Sequence, residues 1–157
     1  MSKSLEARIE ALELRLAAQE DMTAILQLIA AYGPAVDRGD GAATAALWFD
    51  DGRYDYGAGA LEGRAALEAI VETPSHLRYL EAGCAHVLSL PQVRLMGDRA
   101  EAVNVSRVYL KSGEGWQIER CSANHWRFER RGGEWRVLSR ENRLLEGAAE
   151  ARALLRL

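Results

Sequence analysis

The sequence predicts an α+β fold: helices through the first half of the chain, then a mainly antiparallel meander of strands. Three observations predict it. Apolar residues recur at helical spacing through the first third of the chain. Beyond residue 84 the apolar period drops to two. The later segments are separated by short turn signals, "MGD", "KSGEG" and "RRGGE". Helices first and a meander afterwards is α+β segregation. A bent sheet with helices on its concave face makes a cone with a cavity inside.

The elements follow in order. Leu5, Ile9, Leu12 and Leu16, with Glu and Arg between them, predict a helix over residues 5–18. A second helix follows, with Asp21 as its N-cap and Ile25, Leu28, Ile29 and Tyr32 as its apolar stripe. Pro34 disturbs and ends it, because proline cannot donate to the carbonyl of Ala30. Asp40 is placed to cap a short third helix through "ATAALWF". "DDGRYDYGAGALEG" reads as a short strand or hairpin, and "RAALEAIVE" as a fourth helix stopping near Pro74. Strands are expected near 84–96, 99–111, 115–130 and 134–145, and "GAAEARALL" closes the chain as a short helix.

Length and composition exclude several classes. At 157 residues the chain is expected to form one domain, residues 1–157, and 48% hydrophobic with 27% charged is ordinary globular usage. A net charge of −3 gives no broad basic surface for nucleic acid. The apolar runs fall far short of a membrane span, and the scattered N-terminal charges are unlike a secretory signal. Cys84 and Cys121 make neither a paired framework nor a metal spacing, so a reducing cytoplasm is the expected compartment. The Leu5–Leu16 stripe points to a homo-oligomer, dimer or trimer.

The candidate chemistry rests on a few oddly placed polar groups. His86 lies in "AGCAHVLSLPQV" on the same strand face as Leu88 and Leu90. It is either a core histidine bonded to a backbone carbonyl or one member of a site whose partner lies elsewhere. Regular alternation puts Trp116, Ile118, Arg120, Ser122, Asn124, Trp126 and Phe128 on one inward face and sends His125 outward. The polar middle of that face needs partners or a ligand, unless a bulge turns it to solvent. On the last strand, Trp135 and Val137 share a face with Ser139, Glu141 and Arg143, leaving Arg140 and Asn142 on the other. Arg143 is either at the pocket mouth or ion-paired at the surface. Tyr32 and Asp37 end the second helix. A five-residue step separates them by roughly 140° on an ideal helix, which the Gly33-Pro34 pair could undo. Taken alone, Tyr32 could be the last member of its stripe and Asp37 a turn residue.

Read together, "AILQLIAAYGPAVDRGD", "ALWFDDGRYDY", "CAHVLSLPQV" and "WRFERRGGEWRVLSRENRLL" resemble the SnoaL-like branch of the nuclear transport factor 2-like superfamily, over roughly residues 15–145. The resemblance implies a conical α+β barrel, a strongly curved, mainly antiparallel sheet wrapped around about three N-terminal helices, with a deep internal pocket. Within it the chain looks closest to a lyase subset: scytalone dehydratase, bile-acid dehydratase and hexachlorocyclohexane dehydrochlorinase. That subset implies an Asp37–His86 catalytic dyad, with Tyr32 as a further catalytic group. It also implies substrate contacts from Ser122 and Asn124, from Tyr54 (with Tyr56 competing), and a Cys-x-His pair at Cys84 and His86. The region of Val105 to Val108, where scytalone dehydratase carries a second pocket histidine, holds none here. The pocket is expected to be bordered by Tyr32, Trp48, Tyr54, Ser122, Asn124 and Trp126, with Arg143 near its mouth.

The implied function is a cofactor-independent elimination or isomerisation of a small, largely apolar cyclic substrate. His86 would be the base, Asp37 its orienting carboxylate, and a tyrosine the hydrogen-bond donor. No metal is implied. A non-catalytic binding or assembly subunit of the same fold, like a dioxygenase β subunit, and a polyketide cyclase are the competing classes.

Overall fold

The computed structural model describes residues 4–157. Its first helix, α1, runs unbroken over Leu5–Asp37, where the sequence predicted two helices. Ser4 is the N-cap, accepting from the backbone of Ala7 at 3.2 Å. Asp21 is no cap. Its carboxylate accepts from Arg130 Nη1 at 2.8 Å and Trp135 Nε1 at 2.7 Å, which ties mid-helix to the sheet. Pro34 does not end the helix either. The Ala30 carbonyl that it deprives sits on an exposed residue, where water can bond it, and the helix has one turn left to run. Buried Ile25, Ile29, Tyr32 and Val36 hold that final stretch against the core.

Asp40 caps α2 (Gly41–Ala45) through Ala43 N at 2.9 Å. This helix is shorter than expected, because Trp48 and Phe49 already belong to β1 (Trp48–Asp55). β2 (Ala60–Glu62) folds back on β1 as a hairpin. The predicted fourth helix is α3 (Arg64–Glu68) followed by a 3-10 turn, Ala69–Glu72. An unforeseen helix comes next, α4 (Pro74–Ala82). The strand expected over 84–96 is two strands, β3 (Cys84–Leu88) and β4 (Gln92–Met96), divided at Pro91, which has no N–H for the ladder. β5 (Arg99–Ser112), β6 (Gly115–Arg131), β7 (Glu134–Leu144) and α5 (Ala149–Ala153) complete the chain.

The sheet order is β2-β1-β7-β6-β5-β3, and β4 also pairs with β5. β1 and β7 run parallel, and the remaining pairs are antiparallel. The sheet is open. Its edge strands do not pair with each other. The buried stripe of α1 packs with Trp48, Trp126, Phe128 and Val137 as the main core. No helix of the described residues is long and apolar enough to cross a membrane.

Two register slips decide which side chains face inward. Val108 pairs with Arg120 but Tyr109 with Ile118, so Glu119 is an extra residue in β6. Arg127 pairs with Ser139 but Phe128 with Val137, so Leu138 is an extra residue in β7. Beyond the first slip Trp116 and Ile118 are 57% and 56% exposed, not members of the inward face. Beyond the second, Arg140 and Asn142 are buried, the reverse of the predicted alternation.

Candidate active site

The last turn of α1 lies against β3 with almost nothing between them. Gly33 makes this possible: a Cβ there would stand 2.3 Å from the carbonyl oxygen of His86. The close approach carries Asp37, at the helix end, to the start of β3. Its Oδ1 accepts from His86 Nδ1 at 2.6 Å, and its Oδ2 accepts from the His86 backbone N–H at 2.8 Å. The Cys84 thiol adds a third bond to Oδ1 at 3.4 Å.

Burial pushes the Asp37 carboxyl up, but the bonds from the His86 ring and backbone outweigh it and hold the group below its ordinary value. Asp37 is therefore ionised at neutral pH. Burial, and then the adjacent Asp37 charge, push the Cys84 thiol up to about 11, so it is a donor here and not a thiolate. Asp37, Cys84 and His86 are the group of possible metal ligands among the described residues. Both Asp37 oxygens are already engaged, so the cluster is a hydrogen-bond hub around one carboxylate. With Nδ1 committed to Asp37, His86 keeps Nε2 free.

His86 borders a cavity of about 190 Å³. A cavity of roughly 150 Å³ takes benzene, so this one has room for a single ring. Tyr32, Tyr54, Tyr56 and Tyr79 supply aromatic walls, and His76 and Arg120 add polar groups. The Tyr32 ring meets His86 edge-on, with centroids 6.4 Å apart. Burial, reinforced by Tyr54 and partly offset by Arg140, pushes the Tyr32 hydroxyl up to about 12, so it remains a phenol and a donor.

The sequence profile of the SnoaL-like domain matches residues 17–141. The chain belongs to the SnoaL-like family. A solved NTF2-like protein with a cystatin-like fold, from Novosphingobium aromaticivorans, is 41% identical over 93% of this chain and 96% of its own, with a TM-score of 0.90. The hexachlorocyclohexane dehydrochlorinase LinA-type3 of Novosphingobium barchaimii shares the fold at 19% identity, covering 85% of this chain and 96% of its own (TM-score 0.71). So does a Novosphingobium aromaticivorans protein named as a candidate scytalone dehydratase, at 19% identity, 81% and 85% coverage and a TM-score of 0.65. No functionally curated protein matches the sequence.

Other expected site residues of this SnoaL-like chain lie elsewhere. Trp48, Ser122, Asn124 and Trp126 are buried and do not border the cavity. They form the layer behind it. Arg143 is turned away by the slip at Leu138 and bonds Asp55 at 2.7 Å and Glu150 at 2.8 Å, so it is a surface ion-paired residue and not a mouth residue.

Two groups escaped the sequence reading. His76, on α4, is a second pocket histidine beside the first, with ring centroids 5.6 Å apart. Its Nε2–H donates at 2.7 Å to the Val36 carbonyl near the end of α1, which also accepts from the Gly39 backbone N–H at 3.1 Å. Burial lowers its pKa, so the ring is neutral at pH 7. Thr73-Pro74 at one end and Gly83, at φ +89°, at the other are helix start and stop signals that would have revealed its element.

Arg140 is the other. It is 2% exposed, with its guanidinium carbon 4.4, 4.6 and 4.3 Å from the ring centroids of Tyr32, Tyr54 and Trp126. Its Nε and Nη2 both donate to Asn124 Oδ1, at 3.1 and 2.6 Å, and Nη1 has no partner. A neutral amide and three ring faces hold this cation, not a carboxylate. Its charge stands uncompensated behind Tyr32 and Tyr54.

Proposed function

We propose that this protein is a cofactor-independent lyase that eliminates a small leaving group from a single-ring, largely apolar substrate. The observation that carries the reading is the doubly bonded Asp37–His86 pair with a free Nε2 on a cavity-lining ring. His86 Nε2 takes a proton from the carbon next to the one bearing the leaving group. The electrons of that C–H bond form the new double bond, and the leaving group departs with its own bonding pair. Asp37, ionised throughout, fixes the His86 tautomer and balances the imidazolium as it forms. When the leaving group is a hydroxyl, Tyr32 or the imidazolium supplies the proton that completes water.

Negative charge that develops on the substrate faces the Tyr32 and Tyr54 hydroxyls, with Arg140 behind them. A fixed cation in a dry wall stabilises such charge without reorganisation at the moment of reaction. Neutral His76 narrows the cavity beside His86 and adds no competing cation. The Novosphingobium dehydrochlorinase and the candidate scytalone dehydratase support the same reaction class, as proteins of the same fold named for eliminations.

The test is a screen of hydroxylated and halogenated single-ring compounds for elimination products. His86→Ala and Asp37→Asn should each lower kcat by roughly 10²–10⁴ with the fold intact by circular dichroism. Folded variants that turn over at the parent rate would refute the reading.

A further inference from the structure

The half of α1 that precedes the body has no packing partner among the described residues. Every residue from Ser4 to Glu20 is exposed. Leu5, Ile9, Leu12 and Leu16 on this segment are 69%, 47%, 56% and 60% exposed. A free helix of this length, roughly 24 Å, is marginal in water. An apolar stripe on it is a surface awaiting cover.

The stripe cannot be covered by this chain's own sheet. At about 100° per residue its mean direction lies roughly 160° around the helix from Ile25, Ile29, Tyr32 and Val36, which face the core. It points away from the body.

The pattern also says what would cover it. The spacing alternates four, three and four, which is a heptad seam with Ile9 and Leu16 at a positions and Leu5 and Leu12 at d positions. The flanking positions are strictly sorted by charge. Each e position from Glu6 through Glu13 to Glu20 is acidic, and the g positions Arg8 and Arg15 are basic. In a parallel, in-register pair each g residue faces the e residue five positions on in the other chain. Arg8 then meets Glu13 and Arg15 meets Glu20, across both sides of the seam. An antiparallel pair would oppose Arg to Arg and Glu to Glu.

We infer that the exposed half of α1 zips against the same segment of a second copy as a parallel two-stranded coiled coil. Ile at an a position with Leu at the d positions favours two strands over three. The seam is short, so assembly is reversible and concentration-dependent.

Sedimentation of the full chain near 10 μM tests this. The parent should be a dimer, and the Ile9→Lys/Leu12→Lys double variant a folded monomer. Arg8→Glu/Arg15→Glu and Glu13→Arg/Glu20→Arg should each dimerise at least about tenfold more weakly, and mixing the two should give a heterodimer. Leu12→Cys, mildly oxidised, should yield a disulfide-linked dimer that the parent does not form, because in-register d positions face each other. This last result holds even where a lysine variant fails to fold. A monomeric parent, a dimer that survives the double lysine substitution, or Ile9→Cys that links to Leu16→Cys in preference to its own kind would overturn the inference.

Discussion

Gly33→Ala is the sharpest perturbation of the site, because it alters neither side chain of the dyad. The added Cβ would stand 2.3 Å from the His86 carbonyl oxygen, against an ordinary C···O contact of about 3.3 Å. Both sides of that contact are backbone, so the last turn of α1 and the start of β3 must part by about 1 Å. For stability the effects partly offset. Overpacking costs about 1–3 kcal/mol, and replacing a helical glycine by alanine returns about 1 kcal/mol. For the dyad they do not. A bond of 2.6 Å from Asp37 to His86 Nδ1 stretched by that amount leaves hydrogen-bonding range. A misplacement of about 1 Å costs about 10²-fold in turnover. Two measurements check this: turnover on the screened substrate, and the downfield imidazole N–H resonance that a histidine bonded to a carboxylate gives. Both should be lost in a protein still folded by chemical denaturation. A folded Gly33→Ala protein that keeps the resonance and the parent kcat would show that the close approach does not set the pair.

Three further outcomes are expected. Arg140→Met should lower kcat by about 10²–10³ while leaving the unfolding free energy unchanged or higher, since a buried cation with no carboxylate is replaced by an apolar side chain of similar length; unchanged turnover would remove the cation from the mechanism. Stability should decline in acid. Asp37, held below its ordinary value when folded, contributes fully above the normal carboxylate range and loses that contribution as pH falls through its lowered value, so Asp37→Asn should flatten the acid limb of a stability–pH curve. His76 acts in the same direction over a higher window, because below 6.5 the unfolded chain takes up its proton first. Asp21→Ala should cost about 1–3 kcal/mol by leaving Trp135 Nε1 without its acceptor, measured by urea denaturation.

How much of this was legible in the sequence divides along local against non-local causes. Asp37 and His86 could be singled out because each is odd within its own segment, whereas their pairing and the place of Tyr32 followed only from the family resemblance. The helix break expected at Asp21 was misjudged because aspartate before an apolar run is a cap by local rules. Its partners, Arg130 and Trp135, are more than a hundred residues away in the chain. Pro34 misled in the same way, since its cost depends on whether the deprived carbonyl is wet. α4 was legible and overlooked, its Thr-Pro start and glycine stop standing in plain view. Arg140 was not legible, because strict alternation assigns it to the wrong face and only pairing with β6 exposes the slip at Leu138.

That slip also changes what a change in chain length would mean here. In a regular strand the loss of one residue inverts every side chain downstream of it. β7 has already absorbed one residue beyond regular pairing, at Leu138. Its deletion would join Val137 to Ser139 in regular phase and leave Arg140 and Asn142 facing inward as they do now. The same deletion two residues later would turn Asn142 outward. Length variation in this strand is thus silent at Leu138 and the adjoining Ser139 and disrupts the inward face beyond them. An alignment that places its gap beyond Arg140 instead of at Leu138 will match the buried arginine of this chain to surface residues of its relatives.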